Sequence, residues 1–272
     1  MRYIQHITIC MVLVAMSIAR GYAADSKMVA RASWDAGIEA YNNKEYAEAV
    51  EAFESVVAHG SASADVYYNL ANAYFKLGQQ TTNSSRPFAG GELGNAVLNY
   101  ERALRLDPTM DDARYNLDIA KDMTNDTESV PDSFIKHLWY SMARSMTSNG
   151  WATLSLSSLL LSIILVMIYL LHSTIVVRKV AFFASIIIIM VVFFSTALSI
   201  TQRNAAMYSK RAVILTNDTT PVHASPDSGS KIIRQPSQGV TVRVERAQDE
   251  WSEVRFADGE KGWVRTRNIE II

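Results

Sequence analysis

The sequence predicts a multidomain chain in three parts: all-α helical hairpins in front, a transmembrane α-helical hairpin in the middle, and a small all-β barrel behind. Three observations predict it. Two uninterrupted apolar runs, Trp151–Leu171 and Val180–Ile200, each reach the roughly 20 residues that a helix needs to cross a bilayer. The front half repeats small and aromatic residues with a 34-residue period, from Gly37 to Ala71. The back half alternates apolar and polar side chains in short runs bounded by turn residues.

The two runs carry no charged residue, so they suggest neither an ion path nor a proton relay. Their main polar groups, Ser155, Ser157, Ser158, Ser162, Ser185, Ser195 and Thr196, suit helix back-bonding and close helix contact. Two crossings (151–171 and 180–200) joined by a short loop (172–179) place both halves of the chain on one side of the membrane. Residues 1–24 indicate which side. Met1 and Arg2 form a basic start, Ile7–Ile18 is a short apolar stretch, and Gly21-Tyr22-Ala23 supplies the small residues of a cleavage site. This is the pattern of a secretory signal peptide, with an uncleaved anchor as the alternative. Export then leaves Arg178 and Lys179, in the loop, facing the cytoplasm, as the positive-inside tendency prefers. Cys10, the only cysteine, lies within the signal, so the mature chain would have no disulfide and no cysteine metal site.

Charge divides along the same lines. Residues 25–135 hold 18 acidic and 9 basic side chains, whereas residues 201–272 hold 9 and 11. An acidic front half excludes nucleic acid as a partner there, because that binding needs clustered Lys and Arg to displace counterions. A solvated acidic helical surface accounts for it.

Within residues 30–124 the repeat can be read in detail. Gly37-Ile38-Glu39-Ala40-Tyr41 is followed by Tyr46, Ala49 and Phe53; Leu70-Ala71-Asn72-Ala73-Tyr74 is followed by Ala96, Tyr100, Ala103 and Pro108. Small residues let antiparallel helices approach, aromatics fill the space beside the contact, and proline begins the next turn. The stretches Ala64–Gly78 and Glu92–Pro108 resemble the two helices of a tetratricopeptide repeat. The Ser-, Thr- and Gly-rich insertion Gln79–Gly91 falls at the turn between them and reads as a flexible loop. Asp111–Met123 reads as a capping helix. The resemblance implies protein binding on the face made by the first helix of each repeat. In this register that face presents Trp34, Ile38 and Tyr41, then Tyr68, Asn72 and Phe75, then Tyr115 and Ile119. Each of these rings has packing against a neighbouring helix as its other reading. A clamp for a partner's terminal carboxylate is not expected, since only Asn69 matches it.

Residues 125–150 form a polar linker and then an interfacial segment, with Phe134, Trp139 and Tyr140 at helical spacing ahead of Trp151. In the back half, Ala212–Leu215, Gly239–Glu245 and Trp251–Phe256 read as strands. Asp258-Gly259 reads as a hairpin turn before Gly262-Trp263-Val264. These elements resemble the bacterial SH3 fold over residues 212–272. Such domains attach exported proteins to peptidoglycan or to other proteins. Trp251 and Trp263 are the candidates for that surface, with barrel core as their other reading. No active-site motif is present: the histidines are scattered, there is no phosphate-binding loop or nucleophile elbow, and no cofactor is expected.

Signal, repeats, two spans and a terminal SH3 module, in that order, resemble the BatE proteins of the Bat (aerotolerance) group. The resemblance rests on Tyr67–Pro108 and Gly262-Trp263-Val264. It implies a non-catalytic scaffold in the bacterial inner (cytoplasmic) membrane, with both soluble domains periplasmic. Its implied partners are von Willebrand-type domain proteins, with a MoxR-class ATPase encoded nearby. The residues by themselves support an exported, membrane-anchored adaptor, with a peptidoglycan-binding sensor as the alternative.

Overall fold

The computed structural model describes residues 26–80, 88, 90–124, 134–208, 210–216 and 219–272. The signal peptide expected at 1–24 lies outside the described residues, as do most of the insertion and the polar linker.

The front half is built of helical hairpins. Helix α1 (residues 26–42) pairs with α2 (Tyr46–Ala58), α3 (Ala64–Gln80) with α4 (Glu92–Leu106), and α5 (Asp111–Asp122) closes the stack. The small-and-aromatic rule explains the packing. Gly37 faces Phe53 so closely that a Cβ there would lie 2.7 Å from the ring. Ala71, Ala96 and Ala103 are fully buried around Tyr100. Between α2 and α3, Gly60 takes a positive φ of 72°, and the amides of Gly60 and Ser61 close onto the carbonyls of Val57 and Val56.

Helices α6 (Phe134–Arg144), α7 (Ser148–Leu171) and α8 (Ile175–Tyr208) follow. The last two are long and apolar enough to cross a membrane, with mean hydropathies of 2.5 and 2.6, and most of their side chains face outward. They meet along most of the predicted small polar residues: Ser158, Ser162, Ser185 and Ser195 are buried, and Ser155 Oγ lies 2.7 Å from Thr196 Oγ1, whereas Ser157 is exposed and donates back to Thr153 O. Near the loop the structure corrects the expectation. The connection is residues 172–174 only, and Arg178 and Lys179 already belong to α8. No Gly or Pro interrupts Ile175–Lys179, so the helix begins there, and Arg178 reaches back to donate to Tyr169 O at 3.0 Å. At its other end α8 runs eight residues past Ile200, to Tyr208.

At that end, aromatic residues lock α6 to the pair. Trp139 stands edge-on to Phe194 and donates to Thr201 Oγ1 at 3.2 Å, while Trp151 donates to Ala143 O at 3.0 Å. Gln202 donates to the same carbonyl at 2.8 Å.

The back half is one antiparallel sheet. Its strands are β1 (Arg211–Ile214), β2 (Val222–His223), β3 (Ile232–Arg234), β4 (Thr241–Gln248), β5 (Trp251–Arg255), β6 (Lys261–Arg265) and β7 (Ile269–Ile271). They run in the order β3-β2-β6-β5-β4-β1-β7. Alternation puts Ala212, Ile214, Val242, Val254 and Val264 on the inner face, with Phe256 and Ile269 completing the core. The expected Asp258-Gly259 turn joins β5 to β6, and the Gly259 amide donates to Phe256 O at 3.1 Å. The chain is therefore multidomain, with α-helical hairpins, an apolar helix pair and an SH3-like sheet.

Candidate protein-binding groove

Helices α1, α3 and α5 present the predicted binding residues, and the structure sorts them by environment. Trp34 and Ile38 are half-buried against the α1–α2 core, with the Trp34 ring 5.6 Å from Phe53. Tyr41 stands edge-on to Tyr46 at 5.3 Å. Burial first, then the neighbouring Tyr46 and Tyr68, push the Tyr41 hydroxyl above its ordinary pKa, so it remains a neutral donor. Tyr68 is half-buried, its ring 6.2 Å from Tyr100.

Asn72 serves an internal network. Its Oδ1 accepts from the Tyr100 hydroxyl at 2.6 Å and from Asn116 Nδ2 at 3.0 Å, joining α3, α4 and α5. Phe75 packs 5.7 Å from Phe88. Tyr115 is 68% exposed and Ile119 is half-buried. Tyr115 is thus an exposed aromatic of the set, Tyr41 and Tyr68 are half-buried beside Tyr46 and Tyr100, and Asn72 and Phe75 are held by neighbours.

Two participants were not singled out from sequence, Asn116 and Phe88, and Tyr46 was read only as part of the repeat frame. Phe88 had a signal, since it is the one aromatic in an otherwise polar insertion. It is 7% exposed and fits over Gly78, whose missing side chain leaves room for the ring. This part of the insertion is therefore docked, contrary to the flexible loop expected there.

The opposite side of the repeats is occupied. Helix α4 packs on α3 and α5 and also against the sheet, where Leu215 and Ile214 O would sit 3.1 and 3.2 Å from a Cβ on Gly94. Gln238 is buried in this junction. Its Oε1 accepts from the Gly94 amide at 3.1 Å, and its Nε2 donates to Phe88 O. Arg102 pairs with Glu270 at 2.7 Å. Glu101, buried, accepts from Lys121 at 2.6 Å and from Arg211, tying α4 to both α5 and β1.

Trp251 and Trp263 sit differently from an open stacking surface. They are 7% and 6% exposed. The Arg265 guanidinium covers Trp251 at 4.4 Å, and Arg246 covers Trp263 at 5.1 Å. His223 packs edge-on against Trp251 at 5.2 Å.

The family comparisons agree with this architecture. A bacterial SH3 domain model matches residues 218–270, and a tetratricopeptide repeat model matches residues 64–81. Comparison with curated proteins finds no match. Tetratricopeptide repeats are protein-interaction modules and bacterial SH3 domains are cell-wall-binding modules; neither is catalytic. The chain thus carries a protein-interaction repeat and a bacterial SH3 domain, with two apolar helices that suggest a membrane anchor.

Proposed function

We propose that this chain is a non-catalytic, membrane-anchored scaffold that captures an extended or helical segment of a protein partner on the α1–α3–α5 face. The supporting observation is the division of labour across the repeats. The sheet packs on the α4 side, while Tyr41 and Tyr68, both half-buried, and the exposed Tyr115 keep some aromatic surface on the other. Aromatic side chains with a polar tip suit a peptide that brings both apolar side chains and main-chain carbonyls.

Direct packing of α4 on β1 supports a topology with the repeats and the SH3 domain on one side of the membrane, as expected for two crossings. Together with the bacterial SH3 match, this supports an inner-membrane protein with both soluble parts in the periplasm. The resemblance to BatE proteins supports a role in a Bat aerotolerance or envelope-stress complex, with von Willebrand-type domain proteins as the partners. The SH3 match over 218–270 also favours a second reading, a sensor attached to peptidoglycan.

The test is in-cell crosslinking followed by detergent purification and identification of the bound proteins, for wild type and for Tyr68→Ala/Tyr115→Ala. A defined partner set that the double variant loses supports the scaffold. Identical capture by the variant overturns the groove. Co-sedimentation of the purified chain with cell wall, without protein partners, shifts the function to the SH3 domain.

A further inference from the structure

Where the repeats, the membrane helices and the sheet converge, they leave a half-open cavity of about 870 Å³. Its charge is lopsided, with eight basic side chains on the wall against two acidic ones. Each part contributes cations: Arg105, Arg114 and Lys121 from the repeats, Arg144 from α6, and Lys210 and Arg211 from the entry to the sheet. Several are already engaged. Lys121 and Arg211 share Glu101, Arg114 pairs with Asp111 at 2.6 Å, and Arg105 donates to the main-chain oxygens of Ala206 and Ile272. Among the described residues Arg144 and Lys210 make no ion pair, and both are exposed at the wall.

The position relative to the membrane identifies the anion. The cavity floor is Thr201, Gln202 and Ala143, directly beyond the apolar run that ends at Ile200. At about 1.5 Å per residue, Thr201–Asn204 span the first 6 Å or so outside the hydrocarbon, which is the headgroup layer. Helix α6 borders the cavity as an amphipathic rod. Phe134, Ile135, Leu138 and Met142 form one exposed apolar face, whereas Tyr140 and Arg144 turn toward the cavity. Such a helix lies in the membrane interface with its apolar face down.

A cavity at headgroup depth, rimmed by guanidinium groups and of small-ligand size, fits a phosphodiester. We infer that it holds the headgroup of an anionic phospholipid, with Arg144 and Lys210 as the cations that select it. The inference rests on the membrane reading of α7 and α8 and is independent of what the groove binds.

The test uses the full chain extracted from bilayers containing both phosphatidylglycerol and phosphatidylcholine, with retained lipid read by native mass spectrometry. Wild type should keep phosphatidylglycerol through a detergent wash and lose phosphatidylcholine. Arg144→Gln/Lys210→Gln should retain it about thirtyfold less well, since each basic residue near an anionic surface contributes appreciably to lipid attraction. Lys231→Gln, an exposed change outside the cavity, should retain it like wild type, and all three proteins should melt alike. Equal retention of the two lipids, or undiminished retention by the double variant, overturns the inference. Saturation by glycerol phosphate in solution with no lipid retained also overturns it, because a soluble anion would then be the occupant.

Discussion

Glu101→Gln should loosen the joint between the repeats and the sheet without unfolding either. The side chain is 6% exposed, and its Oε1 is shared by Lys121 and Arg211, which are 36% and 41% exposed. In a dry interior each charge-assisted hydrogen bond would be worth about 1.5–3 kcal/mol. Both cations reach water, so each recovers part of that by rehydration, and the combined loss should be about 2 kcal/mol. The sign with pH follows from the carboxyl. Burial raises its pKa, but Lys121 and Arg211 together outweigh burial and hold it below the usual carboxylate range. The stabilisation is therefore complete above the unfolded value of about 4.3 and is lost as pH falls through the lower folded value. Hydrogen exchange is the discriminating assay. Glu101→Gln should speed exchange in both α5 and β1, Arg211→Met in β1 alone, and Lys121→Met in α5 alone. Unchanged exchange in both elements, with an acid-stability profile like wild type, would refute the reasoning.

Two further predictions concern glycines that permit close approach. Gly94→Leu should drive β1 away from α4, at about 1–3 kcal/mol. Exchange protection should fall at Val213 while the sheet-core amides of Val254 and Val264 keep theirs, and loss of protection in all three would contradict a purely interfacial role. Phe88→Ala should destabilise the repeats by about 3 kcal/mol, and Gly78→Val should displace the same ring. Their double variant should therefore fall short of the sum in chemical denaturation, and strict additivity would show that the two positions act separately.

The parts of the fold that rest on local periodicity were legible in the sequence. Gly37 with Phe53, and Ala71 with Tyr100, lie within one repeat, where spacing alone fixes which small residue meets which ring. The strands around Val242 and Val254 were legible for the same reason, because alternation assigns an inner face. β3 and β7 were not, since three residues show no period. Contacts across the junction left no such trace. Gly94 and Gln238 are 144 positions apart, and nothing in either neighbourhood marks the other. Glu101 looked like an ordinary surface acid in the acidic front half, and its burial is explained by Lys121 and Arg211, which arrive from α5 and β1. The SH3 resemblance offered Trp251 and Trp263 as surface candidates with barrel core as the other reading, and nothing in the sequence showed that Arg265 and Arg246 would cover them. On the α1–α3–α5 face, the register could place residues on the first helix of each repeat, while the hydrogen bonds of Asn72 depend on two residues from other helices.

Helix α4 gives these pieces a common logic. One side of it carries Tyr100, which donates to Asn72 in the middle of the proposed binding face. Its other side carries Gly94 and Glu101, which hold the sheet through Gln238 and Arg211. A single helix buried on both sides cannot shift toward one without disturbing packing on the other, because close-packed interiors do not deform continuously. At its C-terminal end Arg105 donates to Ala206 O on α8 at 2.7 Å, which links the same helix to the membrane pair. A polypeptide tether would require none of these contacts. They hold the repeats at a set position and orientation relative to the apolar helix pair, as the proposed scaffold would need in order to present one partner to another.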